Sequence, residues 1–360
     1  DRDFAHGVCV FGDYIAVVGW ALGSPYVALL RKSDGGVVKE WMGSSSELGA
    51  FYNCISIGGK LYAIGSISHI GFIFSYVLIY VFDENLNILA RITGESLSGY
   101  HSLAYDGKAL YIGGWAPEDV DGDGRREEVG FVEKRALDES LSLVSSKKIY
   151  FRSWIEGRIS DIGVDPSTGR IWAVGYYKDS IRKDHSLIVI LDGDLGELKV
   201  IDHPAGINGY LGSLYGIAFD GRYAYVSGWY GVAKFTLDGE LVAINRDGKT
   251  RYKIAYYNNY LYTFGEDRIR GYWRHMLYIH DINLNLVKSY VLSENVDADS
   301  YFYVGRPALE GNNIYVAGID FTLGSENSRI VVYSLSIEGV TATTETGTEA
   351  TTATITVSDR

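Results

Sequence analysis

Apolar and polar residues alternate in short runs along most of the chain, and no segment keeps a helical period. The clearest run is GIAFDGRYAYVSGWYGVAKFTLDGELV, residues 216–242, in which alternating stretches are separated by Asp-Gly pairs. Asp-Gly between two alternating stretches is typical of a tight β-hairpin. The pattern therefore predicts short antiparallel strands joined by short turns.

This pattern recurs along the chain, for example in SLAYDGKALYIGGW (residues 102–115) and DIGVDPSTGRIWAVGY (residues 161–176). Counting the recurrences gives seven units, which start roughly at residues 4, 51, 100, 158, 213, 251 and 302. A spacing of about 35 to 58 residues suits a blade of four strands. We therefore expect an all-β fold, a seven-bladed β-propeller of four-stranded antiparallel blades over residues 1–340. Two packed β-domains are the alternative.

Residues 216–242 resemble the repeats of secreted bacterial and archaeal β-propellers of the SBBP and delta-60 type. The shared pattern is G-I-A-x-D-G-x-x-Y-V-x-G-[WY], followed by V-x-K-[FL]-x-x-D-G. The resemblance covers residues 4 to about 339 and implies only a fold, because this class shares no catalytic residues. It favours an extracellular or cell-surface location on a prokaryote, for example an archaeon, with a signal peptide removed before Asp1.

Residues 341–360 form a Thr-rich tail that ends in a further alternating segment, residues 350–358. Ala353, Ile355 and Val357 would share one face of a strand, and such a strand needs a sheet edge. The last unit lacks an obvious fourth strand, for which residues 340–344 are the nearest candidate. The tail strand then either completes its own blade or pairs head-to-tail with a neighbouring copy, and a disordered stalk or spacer to an anchor is the alternative. The tail threonines are candidate O-glycan acceptors.

Composition narrows the functions that this chain can have. The 33 basic residues are outnumbered by 45 acidic ones, which gives a net charge of −12 and argues against a nucleic-acid partner. No apolar run reaches the length of about 18 residues that a membrane span needs. Neither a Gly-rich phosphate loop before a helix nor a G-x-S-x-G nucleophile turn occurs. We expect a protein that is not an enzyme.

The sharpest chemical motif is D-x-D-x-D-G-x-x-E, residues 119–127. Oxygen ligands at this spacing, with a Gly for the sharp turn, are typical of Ca²⁺ loops. The candidate ligands are the carboxylates of Asp119, Asp121, Asp123 and Glu127 and the backbone carbonyl of Arg125. The motif predicts a Ca²⁺ ion that braces a loop between two strands, and a solvated acidic loop is the alternative.

Alignment of the first strands of the units predicts a ring of side chains at one level of the central channel. Six residues form this ring: His6, Asn53, His101, Ser160, Tyr215 and Tyr252. A polar ring at a channel mouth can bind a glycan or a protein. Its two histidines could also hold a metal for hydrolase or lyase chemistry. A hydrated channel without a ligand is the alternative.

Cys9 and Cys54 fall at similar heights in the first strands of the first two units. Because inner strands converge at the channel, the two thiols are candidates for a disulfide, and two buried free thiols are the alternative.

These features favour a non-enzymatic extracellular structural protein that assembles with copies of itself into a filament or surface layer through its C-terminal strand. A module that binds a glycan or protein at the channel mouth is the second hypothesis. A metal-dependent hydrolase or lyase is the third.

Overall fold

A computed structural model describes residues 4–69, 75–96, 98–120, 122, 124, 126–150, 156–179, 184–202, 211–269, 272–292, 306–320, 329–336 and 353–356. All the regular elements in these ranges are β-strands, as the alternating pattern predicts. Within the same ranges there is no helix long and apolar enough to cross a membrane.

The strands follow one another in groups of four, which we call units 1 to 7. Unit 1 contains β1 (Phe4–Phe11), β2 (Tyr14–Ala21), β3 (Ser24–Arg31) and β4 (Val37–Met42). Unit 2 contains β5 (Glu47–Ile57), β6 (Lys60–His69), β7 (Ser75–Phe82) and β8 (Ile88–Ser96). Unit 3 contains β9 (Gly99–Tyr105), β10 (Ala109–Glu118), β11 (Glu127–Ala136) and β12 (Leu143–Ile149). Unit 4 contains β13 (Glu156–Val164), β14 (Ile171–Lys178), β15 (Asp184–Leu191) and β16 (Glu197–Asp202).

The remaining units have the same organisation. Unit 5 contains β17 (Leu214–Phe219), β18 (Tyr223–Gly228), β19 (Gly231–Thr236) and β20 (Leu241–Asn245). Unit 6 contains β21 (Thr250–Tyr257), β22 (Tyr260–Ile269), β23 (Tyr272–Asp281) and β24 (Leu286–Val291). Unit 7 contains β25 (Ala308–Glu310), β26 (Asn313–Asp320), β27 (Arg329–Ser336) and β28 (Ala353–Thr356).

Each unit is an antiparallel meander in which the strands pair in sequence order. Units 3 and 4 are joined into one sheet by a single parallel pair, Glu128 with Glu156. The first strand of each unit lies innermost, because first strands of successive units contact each other, as β1 with β5 and β17 with β21. The fourth strand pairs only with the third and forms the outer edge.

The hydrophobic core lies between the units. Buried clusters join each unit to the next along the chain. One further cluster joins unit 7 to unit 1, where Tyr315 and Ala317 pack with Ala5 and Val17. The units therefore form a closed ring that is held together by apolar burial between neighbours.

A five-residue turn with the pattern D-x-x-L-x connects the third and fourth strands in four units. Its leucine has a positive φ, at Leu86 (62°), Leu141 (48°), Leu195 (67°) and Leu284 (69°). That conformation costs a residue with a Cβ roughly 1–2 kcal/mol. Two features offset the strain: the leucine is buried, and the aspartate accepts backbone N–H bonds from the second and fourth residues after it.

The last unit is completed by the tail. Strand β28 pairs antiparallel with β27 of the same chain, with Val331 opposite Thr356 and Ser334 opposite Ala353. The alternating segment therefore takes the fourth-strand position of its own unit, the first of the two arrangements expected from the sequence. Residues 340–344, the nearest candidate for that strand, lie outside the described residues. Sixteen residues, 337–352, separate β27 from β28, whereas the other units have four to six at this position.

We predict a pH-dependent contribution of the D-x-x-L-x turn to stability. Hydrogen bonds, chiefly from the Ser142 hydroxyl and N–H, lower the pKa of Asp138 to about 2 from its usual 3.8. The folded state thus favours the carboxylate, so the stabilisation is present above the unfolded-state pKa and disappears as the pH falls through the folded-state pKa. D138N should lose less free energy of unfolding than the wild type between about pH 5 and pH 2 in urea denaturation.

The matched control is D13N, since Asp13 is exposed in a first-to-second-strand turn. Equal acid-induced losses in D138N, D13N and the wild type would contradict the prediction.

Candidate functional site

The two faces of the ring differ in the lengths of their connections. Turns between first and second strands, and between third and fourth, lie on one face and contain two to six residues, apart from the connection to β28. Second-to-third and unit-to-unit connections lie on the other face and contain two to sixteen residues. Binding residues concentrate on variable loops that a rigid scaffold carries. The second face, which we call the mouth face, is therefore where a site is expected.

In units 1 to 6, a β-bulge near the mouth end of the first strand redirects one side chain toward the channel. The register between first and second strands shifts around six residues: His6, Tyr52, His101, Ser160, Tyr215 and Tyr252. A bulge leaves one extra residue unpaired and redirects it. These six residues form the level that we call the bulge ring.

Five members of the bulge ring are those expected from the sequence, and unit 2 differs by one position. Its bulged residue is Tyr52, whereas Asn53 is the next residue, is buried, and accepts the N–H of Cys54 at 2.9 Å. The expectation for Asn53 needs this correction because the alternation of apolar residues does not reveal where a strand bulges. Asn53 belongs instead to the level below, together with Ser102, Asp161 and Lys253.

Aromatic contacts connect the bulge ring across units 1 to 3. The rings of His6 and Tyr52 lie 5.3 Å apart, and Tyr52 stacks on His101 at 5.0 Å with only 8° between the planes. The indole Nε1 of Trp115 donates a hydrogen bond to Nε2 of His101 at 3.1 Å. The guanidinium of Arg158, from unit 4, lies over the Trp115 ring at 5.1 Å.

The contacts continue on the far side of the mouth. Tyr215 lies 6.5 Å from Trp229 and 5.4 Å from Tyr252, measured between ring centroids. The Tyr252 hydroxyl donates to Glu266 at 3.3 Å. Aromatic side chains of units 1, 2, 3, 5 and 6, together with Arg158 of unit 4, thus form an arc around the channel, which we call the aromatic arc.

Both histidines of the arc are neutral at physiological pH. Burial lowers the pKa of His6 to about 4. Burial, followed by the nearby charges of Arg158 and Lys253, lowers the pKa of His101 to about 3. Because Trp115 donates to Nε2 of His101, the single proton of this imidazole is on Nδ1.

The two imidazoles share one aromatic neighbour. Tyr52 contacts both of them. In the part of the chain that the structure describes, no three His, Cys, Asp or Glu side chains come together with metal-binding geometry. The hydrolase or lyase hypothesis stays a prediction.

Below the bulge ring, the carboxylate of Asp161 is completely buried. It accepts the Ser102 hydroxyl at 2.5 Å and the backbone N–H groups of Ile162 and Ile217 at 3.0 and 3.1 Å. The Nζ of Lys253 lies 3.8 Å and a guanidinium nitrogen of Arg306 lies 3.7 Å from its oxygens. Asp161 therefore collects contacts from units 3, 5, 6 and 7.

The two cations also reach backbone carbonyls across the channel. Lys253 of unit 6 donates to the carbonyl of Ser160 in unit 4 at 3.2 Å. Arg306 of unit 7 donates to the carbonyls of Ile162 and Ile217 at 2.8 and 3.4 Å. These side chains form a floor beneath the mouth, which we call the charged floor. Lys253 and Arg306 are absent from the residues expected from the sequence. A lysine between the aromatic and apolar residues of β21 was the available signal for Lys253, and Arg306 carried none.

The acidic loop lies between β10 and β11, where the motif was expected. The carboxylate oxygens of Asp119 accept the N–H groups of Gly122 and Gly124 at 2.8 and 3.1 Å. Glu127 accepts the N–H of Val120 at 3.0 Å. Three of the candidate ligands, Asp121, Asp123 and Arg125, lie outside the described residues. Calcium binding by this loop stays a prediction.

Cys9 and Cys54 are free and buried, and both lie in the core cluster between units 1 and 2. Burial and the adjacent Cys9 thiol raise the pKa of Cys54. The structure therefore has the free-thiol arrangement and not the disulfide.

No protein-family model matches the chain, and no curated protein matches its sequence. Solved structures match over most of its length. The Pan2 WD40 domain of Neurospora crassa has a TM-score of 0.59 and 8% identity, covering 92% of this chain and 89% of that one. The WD40 propeller domain of Doa1 has a TM-score of 0.58 and 16% identity, covering 92% and 93%. BamB from Moraxella catarrhalis has a TM-score of 0.51 and 13% identity, covering 91% and 83%.

Identities this low show a shared fold and nothing about shared function. With the closed ring of meanders and the channel-lining first strands, they establish that the chain is an all-β propeller. The prediction of a propeller from the repeats is confirmed.

We predict that replacing Asp161 of the charged floor destabilises the ring. D161A leaves the cations of Lys253 and Arg306 without their buried anion, which should lower the free energy of unfolding by about 3–5 kcal/mol. D238A is the control, because Asp238 is 79% exposed and pairs with Arg170 at the surface. It should change the same quantity by less than about 1 kcal/mol in urea denaturation. Equal effects of the two substitutions would show that the floor does not stabilise the ring.

Proposed function

We propose that this propeller has seven blades, one for each four-strand unit, and acts as a non-enzymatic binding module whose ligand sits at the channel mouth. The observation that carries the proposal is the aromatic arc. Side chains from six units converge there at one level, on the face with variable connections. Side chains that a rigid scaffold holds together on its variable face are a typical place for a ligand.

The blade count is supported by two observations. The described strands form seven successive groups of four. Buried clusters join each group to the next and the last group to the first. An extracellular or cell-surface location is part of the proposal and rests on the resemblance to secreted propeller repeats.

The absence of an enzymatic role is supported by how the polar groups of the mouth are used. Ser102 donates its hydroxyl proton to the buried Asp161 and not to a histidine. His101 accepts from Trp115 through the nitrogen that a general base would use. These groups hold the mouth in shape, which is what binding requires.

We predict that substitutions at the mouth, and not on the opposite face, abolish binding. The double variant Y215A/W229A removes two members of the aromatic arc. The control L198A/L241A removes two side chains that are 51% and 40% exposed near the turns of the opposite face. Binding of each protein to an array of saccharides, peptides and lipids should be lost only in the mouth variant. The proposed function would be overturned if ligand binding were retained by the mouth variant and lost in the control.

Assembly with copies of itself is a second candidate function, favoured by the connection to β28. This strand completes its unit through a segment at least ten residues longer than any other at the same position. A strand held by such a long connection can pair with β27 of a neighbouring copy, in the same register that it has with β27 of its own chain. When each copy passes its strand to the next, the contacts are head-to-tail and need not form a closed ring of copies. Such an exchange would produce a filament or surface layer in which the Thr-rich segment links neighbouring copies.

We predict that removal of the residues after Glu349 prevents such assembly. Negative-stain electron microscopy of the full chain should show strings of rings, and the truncated chain should show single rings. I355P is a matched full-length control, because proline removes a backbone N–H from the strand. It should behave as the truncated chain does. Single rings in all three samples would rule out assembly through β28.

A further inference from the structure

We propose that the mouth binds an uncharged saccharide, with the sugar ring stacked on Trp229 and its hydroxyl groups bonded to the charged pairs of unit 3 and unit 4. This inference rests on the proposed binding function and adds the chemical class of the ligand. It follows from the charges, the aromatic faces and the hydrogen-bonding capacity at the mouth.

The carboxylates that units 3 and 4 place at the mouth are paired with cations of the same chain. Glu128 accepts from Arg158 at 2.8 Å, and Glu156 accepts from Lys178 at 2.8 Å. The two histidines of the arc are uncharged at neutral pH. A ligand that needs an unpaired charge therefore finds none among these groups.

The aromatic faces argue against a cationic ligand. Arg158 lies over Trp115 at 5.1 Å, Lys178 lies over Tyr176 at 5.8 Å, and Arg246 lies over Tyr230 at 5.8 Å. Aromatic cages recognise cations by offering open π-faces. Here cations of the chain itself already lie on three of these faces, so a cationic ligand would meet repulsion.

Trp229 offers the open aromatic surface of the mouth. It is 40% exposed, the largest value among the aromatic residues of the arc that the structure describes. The backbone N–H of Trp229 donates to the carbonyl of Ser213 at 3.2 Å, and the backbone N–H of Tyr230 donates to the carbonyl of Leu211 at 3.1 Å. The indole is thus carried on a hydrogen-bonded turn and not on a free loop. A rigid aromatic surface lowers the entropic cost of stacking a ligand on it.

The charged pairs keep enough hydrogen-bonding capacity for hydroxyl groups. An arginine has five N–H donors and a carboxylate has about four acceptor positions. Arg158 and Glu128 use only some of these in the bonds between them. A saccharide presents C–H groups on its faces and hydroxyls at its edge. It is therefore the common uncharged ligand that fits an apolar aromatic face beside fixed donors and acceptors.

The full chain should be tested by isothermal titration calorimetry against defined probes. The uncharged probes are yeast mannan, dextran and cellohexaose, and the charged probes are heparin, alginate and polylysine. Phosphatidylcholine vesicles represent a zwitterionic membrane surface. We expect binding to at least one uncharged saccharide, nearly unchanged between about 0.05 and 0.5 M salt because no net charge is neutralised. W229A should weaken it by about tenfold or more.

Two matched variants make the result specific. W229F keeps an aromatic face and should retain most of the affinity, whereas L198A, on the opposite face, should leave it unchanged. Binding only to charged probes, with loss at high salt, would overturn the saccharide proposal. So would a saccharide affinity that W229A does not alter.

The failure of this inference is distinguishable from that of the proposed function. If Y215A/W229A abolishes binding of a peptide or vesicle while no saccharide binds, the mouth is a binding site and the ligand class is wrong. If no mouth variant alters the binding of any probe, both proposals are wrong.

Discussion

The geometry of the mouth depends on a single buried carboxylate. Asp161 lies where the first strands of several units approach the axis, and its two oxygens accept bonds or face cations from four different units. A buried carboxylate is tolerated only when hydrogen bonds and opposite charges replace its water. The same contacts bring Lys253 and Arg306 across the channel. The level of the bulge ring above them is therefore fixed relative to the floor.

Close approach of the inner strands is a second part of this constraint. A Cβ at Gly216 would lie 3.0 Å from the Cα of Lys253, and a Cβ at Gly7 would lie 2.8 Å from the Cα of Asn53. These distances are too short for a side chain without movement of the backbone. Glycine at these two positions allows neighbouring units to converge, and convergence brings aromatic side chains of different units into contact.

The sequence was informative about the scaffold and less so about the site. Alternation and Asp-Gly turns predict the strands, and the recurrence of the unit at residues 216–242 predicts the propeller. The site depends on bulges, which shift Tyr52 into the ring in place of Asn53 without altering the apolar pattern. It also depends on pairs distant in the chain, such as Lys253 with Ser160. Spacing along one strand carries no information about such partners.

The way in which the ring closes has a consequence for its evolution. In the described sheets, every unit is built from consecutive strands. No strand from one end of the chain therefore completes the unit at the other end. The junction between unit 7 and unit 1 consists of packed side chains, as the other junctions do. Gene duplication or deletion of a whole unit would leave both closing surfaces intact. The architecture can therefore change its circumference in steps of one repeat without first inventing a new way to join its ends.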